Sequence, residues 1–224
     1  MSTPSCILDN TSFISHLIYD NSDLTDEMIT NLVLSLDRIE DLPSPGVLYI
    51  HLLGRVDTTP LQRWPGRADL AQVTKWERAL RRIERCSSTT VVFAEHSCSA
   101  LALELLPVAD YRIATTDFTC QARLSQDAIW PGMSLYRLSR QIGQSLIRQI
   151  FLKSVLTAPE CLAFGLIEKI IAANDIDRHW LKELVNTAPL NDLAVRRRLM
   201  QDSLDLPYED ALGSHLAACQ RSLR

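Results

Sequence analysis

A single carboxylic acid lies inside an apolar run near the middle of this sequence. Glu104 is the one charged residue of the segment 100–106, "ALALELL", whose pattern predicts a buried helix. A carboxylate that loses its water there must find a partner, take up a proton or take part in chemistry. An acid beside backbone N–H donors is suited to proton transfer next to a carbonyl group. Glu104 is therefore the first candidate catalytic residue.

Further polar groups fall where predicted strands lead into predicted helices, which is where ligands collect in α/β folds. Gly66 lies in a loop before a helix and can bring its backbone close to a ligand. Asp127, Trp130 and Gly132 lie together in "QDAIWPG", a predicted turn before another helix. Asp127 is either a second acid of the same site or a turn or capping residue.

Each candidate has an alternative interpretation. Glu104 could pair with an arginine such as Arg112, since buried acids are usually paired. Cys98 could be a nucleophile, but no G-x-S-x-G motif surrounds it and a packed thiol is favoured. The basic side chains of helix 69–86 and of the run 196–198 are interpreted as solvated helix faces, with a phosphate contact as the alternative for the first set.

Short apolar runs alternate with amphipathic segments over the first half of the chain. Helices are predicted at 22–41, with Ser22 or Thr25 as the capping residue, and at 69–86. Strands are predicted at 6–8, 13–18, 47–53, 90–95 and 110–115. This alternation is typical of an α/β fold with mostly parallel strands.

The pattern becomes helical from Met133 onward. Only the run 166–171 in this part predicts a short strand. Helices are predicted at 133–143, 144–154, 158–165, 177–187, 190–203 and 207–223. We predict a core of residues 1–171 and a C-terminal helical region of residues 172–224 that forms an oligomerisation surface.

Composition excludes several classes of partner. The net charge of −4 offers no general attraction to nucleic acid or to an anionic membrane, and no apolar run is long enough to cross a bilayer. The six cysteines show no paired metal-binding spacing, so we expect reduced thiols, no metal site and a cytoplasmic protein. The N-terminal residues do not have the pattern of a signal peptide.

Several of these segments resemble those of the crotonase (enoyl-CoA hydratase/isomerase) superfamily. The likeness covers residues 45–171 and rests on "TTVVFAEHSCSALALELLPVADYRIAT", "WPGMSLYRL" and "TAPECLAFGLIEKI". Glu104 falls where the family has its first catalytic glutamate. The resemblance implies a crotonase-like spiral of ββα units with a helical C-terminal region, and a lyase or isomerase that acts on CoA thioesters.

One branch of the family is more similar. "KWERALRRIER", "ADYRIAT" and "DAIWPGMSLYRL" resemble the small crotonase-like auxiliary proteins of 3,5-dihydroxyphenylacetyl-CoA formation, which serve dihydroxyphenylglycine biosynthesis. That likeness implies help in dehydrating and aromatising a CoA-bound polyketide intermediate. The implied partners are the acyl-CoA substrate and either further copies, as a trimer or hexamer, or a related crotonase or type III polyketide synthase.

The resemblance also assigns roles to individual residues. The backbone N–H groups of Gly66 and Leu101 would hold the thioester oxygen, Glu104 would transfer the proton, and Trp130 and Gly132 would line the substrate site. No cofactor is implied beyond the CoA of the substrate. The second catalytic glutamate of true hydratases falls at Leu124, so Asp127 would substitute for it.

Two departures from the family pattern favour an alternative function. The family's triple glycine is the segment 100–102, "ALA", in this chain, and the second glutamate is lost. The alternative is a non-catalytic, degenerate crotonase that acts through contact with a type III polyketide synthase or a second crotonase. The retained Glu104, which is costly to bury, argues against that alternative.

Overall fold

A six-stranded sheet forms the centre of the protein. The computed structural model describes residues 6–9, 12–20, 23–56, 64–122, 130, 132–172 and 190–223. Within these residues the strands of the sheet lie side by side in the order 6–9, 12–19, 47–53, 89–95, 111–115 and 169–171. The first pair is antiparallel and every other neighbouring pair is parallel. The predicted α/β architecture with mostly parallel strands is confirmed.

The elements follow one another in mixed order along the chain. The strands are β1 (Cys6–Asp9), β2 (Ser12–Tyr19), β3 (Val47–Leu53), β4 (Thr89–Glu95), β5 (Ser97–Cys98), β6 (Tyr111–Thr115), β7 (Thr119–Gln121), β8 (Val155–Thr157) and β9 (Lys169–Ile171). The helices are α1 (Asp26–Glu40), α2 (Leu70–Arg85), α3 (Leu101–Leu105), α4 (Ser134–Gln141), α5 (Gln144–Leu152), α6 (Ala158–Ala163), α7 (Leu190–Asp205) and α8 (Tyr208–Ser222).

The two long helices near the N-terminus begin at side-chain caps. The Thr25 hydroxyl accepts a hydrogen bond from the Met28 backbone N–H, at 3.1 Å, which places the start of α1. Asp69 and Gln72 form a reciprocal capping box at the start of α2. Helix α2 turns its apolar face, which includes Trp76, into the core. The caps therefore set the position of Trp76 along the helix.

A second, small sheet was not predicted from the sequence. Strand β5 pairs with β7 in parallel, and β7 pairs with β8 in an antiparallel arrangement. Residues 155–157, which form β8, follow the end of a helix that was predicted only as far as residue 154. Strands of two or three residues are too short to show a periodic pattern.

Helix α3 is short and completely buried. It ends at Leu105 and continues as a 3₁₀ turn, Leu106–Val108, because Pro107 has no N–H to extend the helix. The α-helix therefore ends one residue past Glu104. Ala100 occupies the N-cap position of α3 and makes no side-chain cap.

The C-terminal helices α7 and α8 confirm that the end of the chain is helical. The helix predicted at 177–187 lies outside the described residues. Arg197 on α7 is only 9% exposed and donates to the Asp110 carboxylate at 2.6 Å. The interpretation of 196–198 as a solvated run is wrong for Arg197, which fastens α7 to the core. No helix among the described residues is long and apolar enough to span a bilayer.

Candidate active site

Glu104 is held by two indole groups. Its Oε2 accepts a hydrogen bond from Trp76 Nε1 and its Oε1 accepts one from Trp130 Nε1, each at 2.6 Å. The side chain is 1% exposed. Trp76 comes from α2, and Trp130 lies just before α4. Two segments far apart in the chain therefore meet at the carboxylate of α3.

A third tryptophan completes the surroundings of this carboxylate. Trp64 packs edge-on against Trp76, with 5.8 Å between the ring centroids, and both rings are almost fully buried. The Trp64 N–H lowers the pKa of Glu104, although it is buried without meeting the geometry of a hydrogen bond. We call Trp64, Trp76 and Trp130 the tryptophan clamp. Because an indole N–H can only donate a hydrogen bond, Glu104 must be the acceptor in its hydrogen bonds with the clamp.

Burial and the clamp act on Glu104 in opposite directions. The net effect raises the pKa of the carboxyl group from 4.5 to about 6, and its largest cause is burial, which penalises the charged form. The N–H groups of Trp130 and Trp76 lower the pKa, and the neighbouring charge of Glu77 raises it. At neutral pH the carboxylate is mostly ionised, yet it takes up a proton within about one pH unit of neutrality. That is the state a general base needs.

We expect Glu104 to make the protein less stable as the pH rises from 4 to 7. Its pKa is higher in the folded than in the unfolded chain, so the folded state binds more protons between these pH values and stability falls with pH. The shift from 4.5 to about 6 corresponds to about 2 kcal/mol. Urea unfolding gives the free energy of unfolding of wild type and of Glu104→Gln. Between pH 4 and 7 the value for wild type should fall by about 2 kcal/mol relative to the value for the variant. A difference independent of pH would contradict the raised pKa.

Gly132 closes the site beside the carboxylate. It has a φ of +40°, and a Cβ there would lie 2.6 Å from Glu104 Oε1 and 2.9 Å from Trp130 Nε1. Any side chain at this position would push apart the two atoms that form the Trp130–Glu104 hydrogen bond. Glycine is therefore required both by the backbone conformation and by the space.

Replacing Gly132 with alanine should reduce both activity and stability. We expect a loss of about 1–3 kcal/mol in unfolding free energy and at least about a tenfold loss in kcat/KM, because the hydrogen bond to Oε1 is broken. Gly143→Ala is the matched control, since Gly143 has a φ of +81° with open space around its Cβ position. Equal losses of kcat/KM in both variants would show that backbone strain alone, rather than the contact with Glu104, explains the effect.

The two alternative interpretations of this region are not supported by the contacts. Arg112 pairs with Glu168, donating from Nε to Oε1 at 2.7 Å, so it is not the partner of Glu104. Among the described residues no cation forms an ion pair with Glu104. Cys98 is 3% exposed, and burial raises the pKa of its thiol, which makes it a packed thiol and a poor nucleophile.

The predicted oxyanion donors occupy different surroundings. Leu101 begins α3, and its buried N–H points at the Ser99 hydroxyl over a long 3.4 Å contact. An oxyanion would have to compete only with that weak acceptor. Gly66 is exposed, has a φ of +76° and packs against Asp23. In the chain, Gly66 follows the clamp residue Trp64 by two positions, and Leu101 precedes Glu104 by three positions on α3.

One predicted site residue cannot be placed, and one contact was missed. Asp127 lies outside the described residues, as does Leu124. In the sequence Trp76 has the spacing of an inward-facing core residue of its helix, but in the structure it donates to Glu104. Its apolar spacing hides that role, because an indole at a core position has the same pattern whether or not its N–H has a polar partner. Trp130 and Gly132, by contrast, do contact Glu104 or its hydrogen bond.

Comparisons with known proteins agree with the architecture. No protein-family model matches the chain. It is 34% identical over 205 residues to a protein named enoyl-CoA-hydratase from Amycolatopsis orientalis, an alignment that covers 90% of this chain and 91% of that protein.

Solved structures of low sequence identity share the fold. An enoyl-CoA hydratase from Shewanella pealeana has a TM-score of 0.77 at 15% identity and covers 98% of this chain and 88% of its own. An enoyl-CoA hydratase/isomerase from Cupriavidus metallidurans has a TM-score of 0.78 at 15% identity and covers 100% and 89%. An enoyl-CoA hydratase from Mycobacterium smegmatis has a TM-score of 0.79 at 13% identity and covers 100% and 91%. The predicted spiral fold with a helical C-terminal region is confirmed.

Proposed function

Since the chain belongs to the enoyl-CoA hydratase/isomerase (crotonase) superfamily, we propose that it removes water from a CoA-bound polyketide intermediate on the way to an aromatic ring. The hydratase-like character follows from the family. The polyketide substrate, in the formation of 3,5-dihydroxyphenylacetyl-CoA for dihydroxyphenylglycine, is the specific part of the proposal. The enzyme would work in the cytoplasm.

The observation that carries the proposal is the state of Glu104. A buried carboxylate without a cationic partner costs free energy, and hydrogen bonds from two neutral indoles recover only part of it. Structural carboxylates in cores are normally paired with a cation, as Asp110 is with Arg197. An unpaired acid that titrates near neutral pH is typical of a proton-transfer site.

The proposed reaction begins at the carbon next to the thioester. The ionised Glu104 takes a proton from that carbon, the C–H electron pair forms an enolate, and the thioester oxygen receives the negative charge. The N–H groups of Gly66 and Leu101 hold that oxygen; one such donor is typically worth about 3–4 kcal/mol. The enolate then expels the β-hydroxyl, which leaves as water with a proton from Asp127 or from Glu104. The sequence is redox-neutral, and CoA enters with the substrate.

Two of the three segments that resemble the auxiliary branch meet at Glu104, and this supports the polyketide assignment. "KWERALRRIER" contributes Trp76 and Glu77, and "DAIWPGMSLYRL" contributes Trp130, Gly132 and Arg137. Arg137 Nη1 lies 3.0 Å from Glu77 Oε2, so the two segments are also joined by an ion pair. Residues of these two segments therefore surround the acid.

An acyl-CoA thioester is the substrate class, and an assembly is part of the proposal. Helices α7 and α8 expose several apolar side chains, among them Met200, Leu204, Tyr208 and Leu216. Such a surface suits either further copies of the chain, as a trimer or hexamer, or a related crotonase or polyketide synthase. Light scattering of the protein alone and mixed with the synthase would distinguish these assemblies.

The proposal is tested by product analysis. A type III polyketide synthase is incubated with malonyl-CoA, with and without this protein, and the CoA thioesters are resolved by mass spectrometry. We expect the protein to increase dehydrated, aromatic product, and Glu104→Gln to abolish that increase. Unchanged products with wild type would contradict the polyketide substrate.

A non-catalytic partner is the second candidate function. Both oxygens of Glu104 already have donors within the chain, and Leu101 places a buried side chain where the family has glycine. These contacts favour a protein that assists a synthase by contact alone. Co-purification with the synthase, together with equal rate increases from wild type and Glu104→Gln, would support this candidate.

A further inference from the structure

The tryptophan clamp has a geometry that a purely hydrophobic cluster would not need. Two of its indoles direct their only polar atom to different oxygens of one carboxylate, each at 2.6 Å. They come from helix α2 and from the segment before α4, so neither is a consequence of local chain geometry. Two donors on two oxygens fix the plane of the carboxylate, because rotation about its last bond would break both hydrogen bonds.

We infer that Trp76 and Trp130 are positioning residues, which fix the orientation of the Glu104 carboxylate and favour its ionised form. This inference rests on the proposed function, since it specifies how the chain prepares the base. An indole is a donor without acceptor capacity, so it bonds the carboxylate and gives nothing to the proton of the neutral acid. The clamp therefore opposes burial, which favours the neutral acid.

The charged groups around Glu104 do not stabilise its ionised form, so that role belongs to the indoles. Glu77 on α2 is the neighbouring charge that raises the pKa of Glu104, and Arg137 on α4 pairs with Glu77. Tyr19 on β2 packs edge-on against Trp76, with 6.1 Å between centroids, and burial raises the pKa of its hydroxyl, so it stays neutral. Helix α3 and its 3₁₀ turn carry no other ionisable side chain. Within the described residues the stabilising donors to the ionised form are the clamp residues.

Trp76 and Trp130 differ in burial, so variants at the two positions test the positioning role independently. Trp76 is 1% exposed and holds Oε2 from inside the core, whereas Trp130 is half-buried and holds Oε1 beside Gly132. Trp76→Phe removes one donor together with some packing. Placing 3-benzothienylalanine at position 76 keeps the shape and replaces the N–H with sulfur. This second variant separates the hydrogen bond from the packing.

The direct measurement is a carbon-13 NMR titration of the glutamate side-chain carboxyl carbons. The signal of Glu104 is the one that disappears in Glu104→Gln, and in wild type we expect a midpoint of about 6. Each clamp variant, Trp76→Phe, 3-benzothienylalanine at 76 and Trp130→Phe, should raise the midpoint by about one to two pH units, the size of a lost hydrogen bond to a charged group. The acidic limb of the kcat/KM profile should move by the same amount.

Phe118→Leu is the matched control for a general loss of core packing. Phe118 is 1% exposed and is not a clamp residue, so we expect its variant to be less stable with an unchanged Glu104 midpoint. A midpoint that stays near 6 or falls with 3-benzothienylalanine at 76 would overturn the inference. If the midpoints move as expected while wild type shows no turnover, the clamp stands and the proposed function fails. If Glu104→Gln abolishes turnover while the midpoints stay, only the clamp fails.

Discussion

Glu104→Gln is expected to lower kcat/KM by at least about a hundredfold. General base catalysis typically contributes factors of 10² to 10⁴, and glutamine cannot take up the proton. The amide oxygen of glutamine can accept from one indole of the clamp, but its NH₂ group then faces the other indole N–H. We therefore expect a moderate cost in stability, of about 1–3 kcal/mol, beside the large loss of turnover.

The folded fraction must be shown to be the same when the activities are compared. Circular dichroism and urea unfolding provide that check at the assay temperature. Glu209→Gln is the matched control, because Glu209 is an exposed acid on helix α8. It should retain wild-type turnover. Turnover by Glu104→Gln within a factor of about three of wild type would remove Glu104 from the reaction.

Arg197→Ala should cause the largest loss of stability. Arg197 donates to Asp110 Oδ2 at 2.6 Å and also to the Cys86 carbonyl oxygen, and Asp110 Oδ2 accepts from the Thr90 N–H at 2.8 Å. Removing the cation leaves Asp110 largely buried and without its charge partner. Breaking such a pair typically costs about 3–5 kcal/mol. Urea unfolding at pH 7 measures the change.

The neighbouring arginine of the same helix provides the control. Arg198 is exposed and pairs with Asp202 one turn further on, so Arg198→Ala should cost less than about 1 kcal/mol. Similar losses in the two variants would show that helix propensity, rather than the buried pair, explains the effect. Arg197→Ala combined with Asp110→Asn should recover part of the loss, because the buried charge is then removed.

Regular elements of this fold could be predicted because their signals are local. Thr25 and Asp69 are side-chain caps that mark the starts of α1 and α2. The apolar runs of β3 and β4 indicate buried strands. Helix α3 was also predicted from its apolar run. The small sheet of β5, β7 and β8 was not, since its strands are held by pairing partners that are distant in sequence.

The candidate site was only partly predictable for the same reason. Glu104 stands out because a charge in an apolar run is rare, and Gly132 because of the turn that contains it. Trp76 and Arg197 do not stand out in the sequence. An indole on an apolar helix face has the pattern of a core residue, and an arginine in a basic run has the pattern of a solvated one. Their roles depend on which polar atom lies opposite in three dimensions, namely Glu104 and Asp110.

The pKa of Glu104 depends on two opposing effects that come from different segments of the chain. Helix α3 supplies the acid and buries it, while α2 and the segment before α4 supply donors that keep it ionisable. Without the indoles, burial alone would favour a neutral, inert acid. Without burial, the carboxyl group would titrate near its ordinary value and be a weak base. The fold brings both conditions to one residue.

Hydrogen exchange at the carbon next to the thioester tests the central claim most directly. The protein is incubated in D₂O with a 3-hydroxyacyl-CoA, and deuterium at that carbon is followed by mass spectrometry. We predict incorporation with wild type that increases as the pH passes about 6, the pKa of Glu104, and none above background with Glu104→Gln. Equal incorporation with both proteins, or none with wild type, would contradict the assignment of Glu104 as the proton-transferring base.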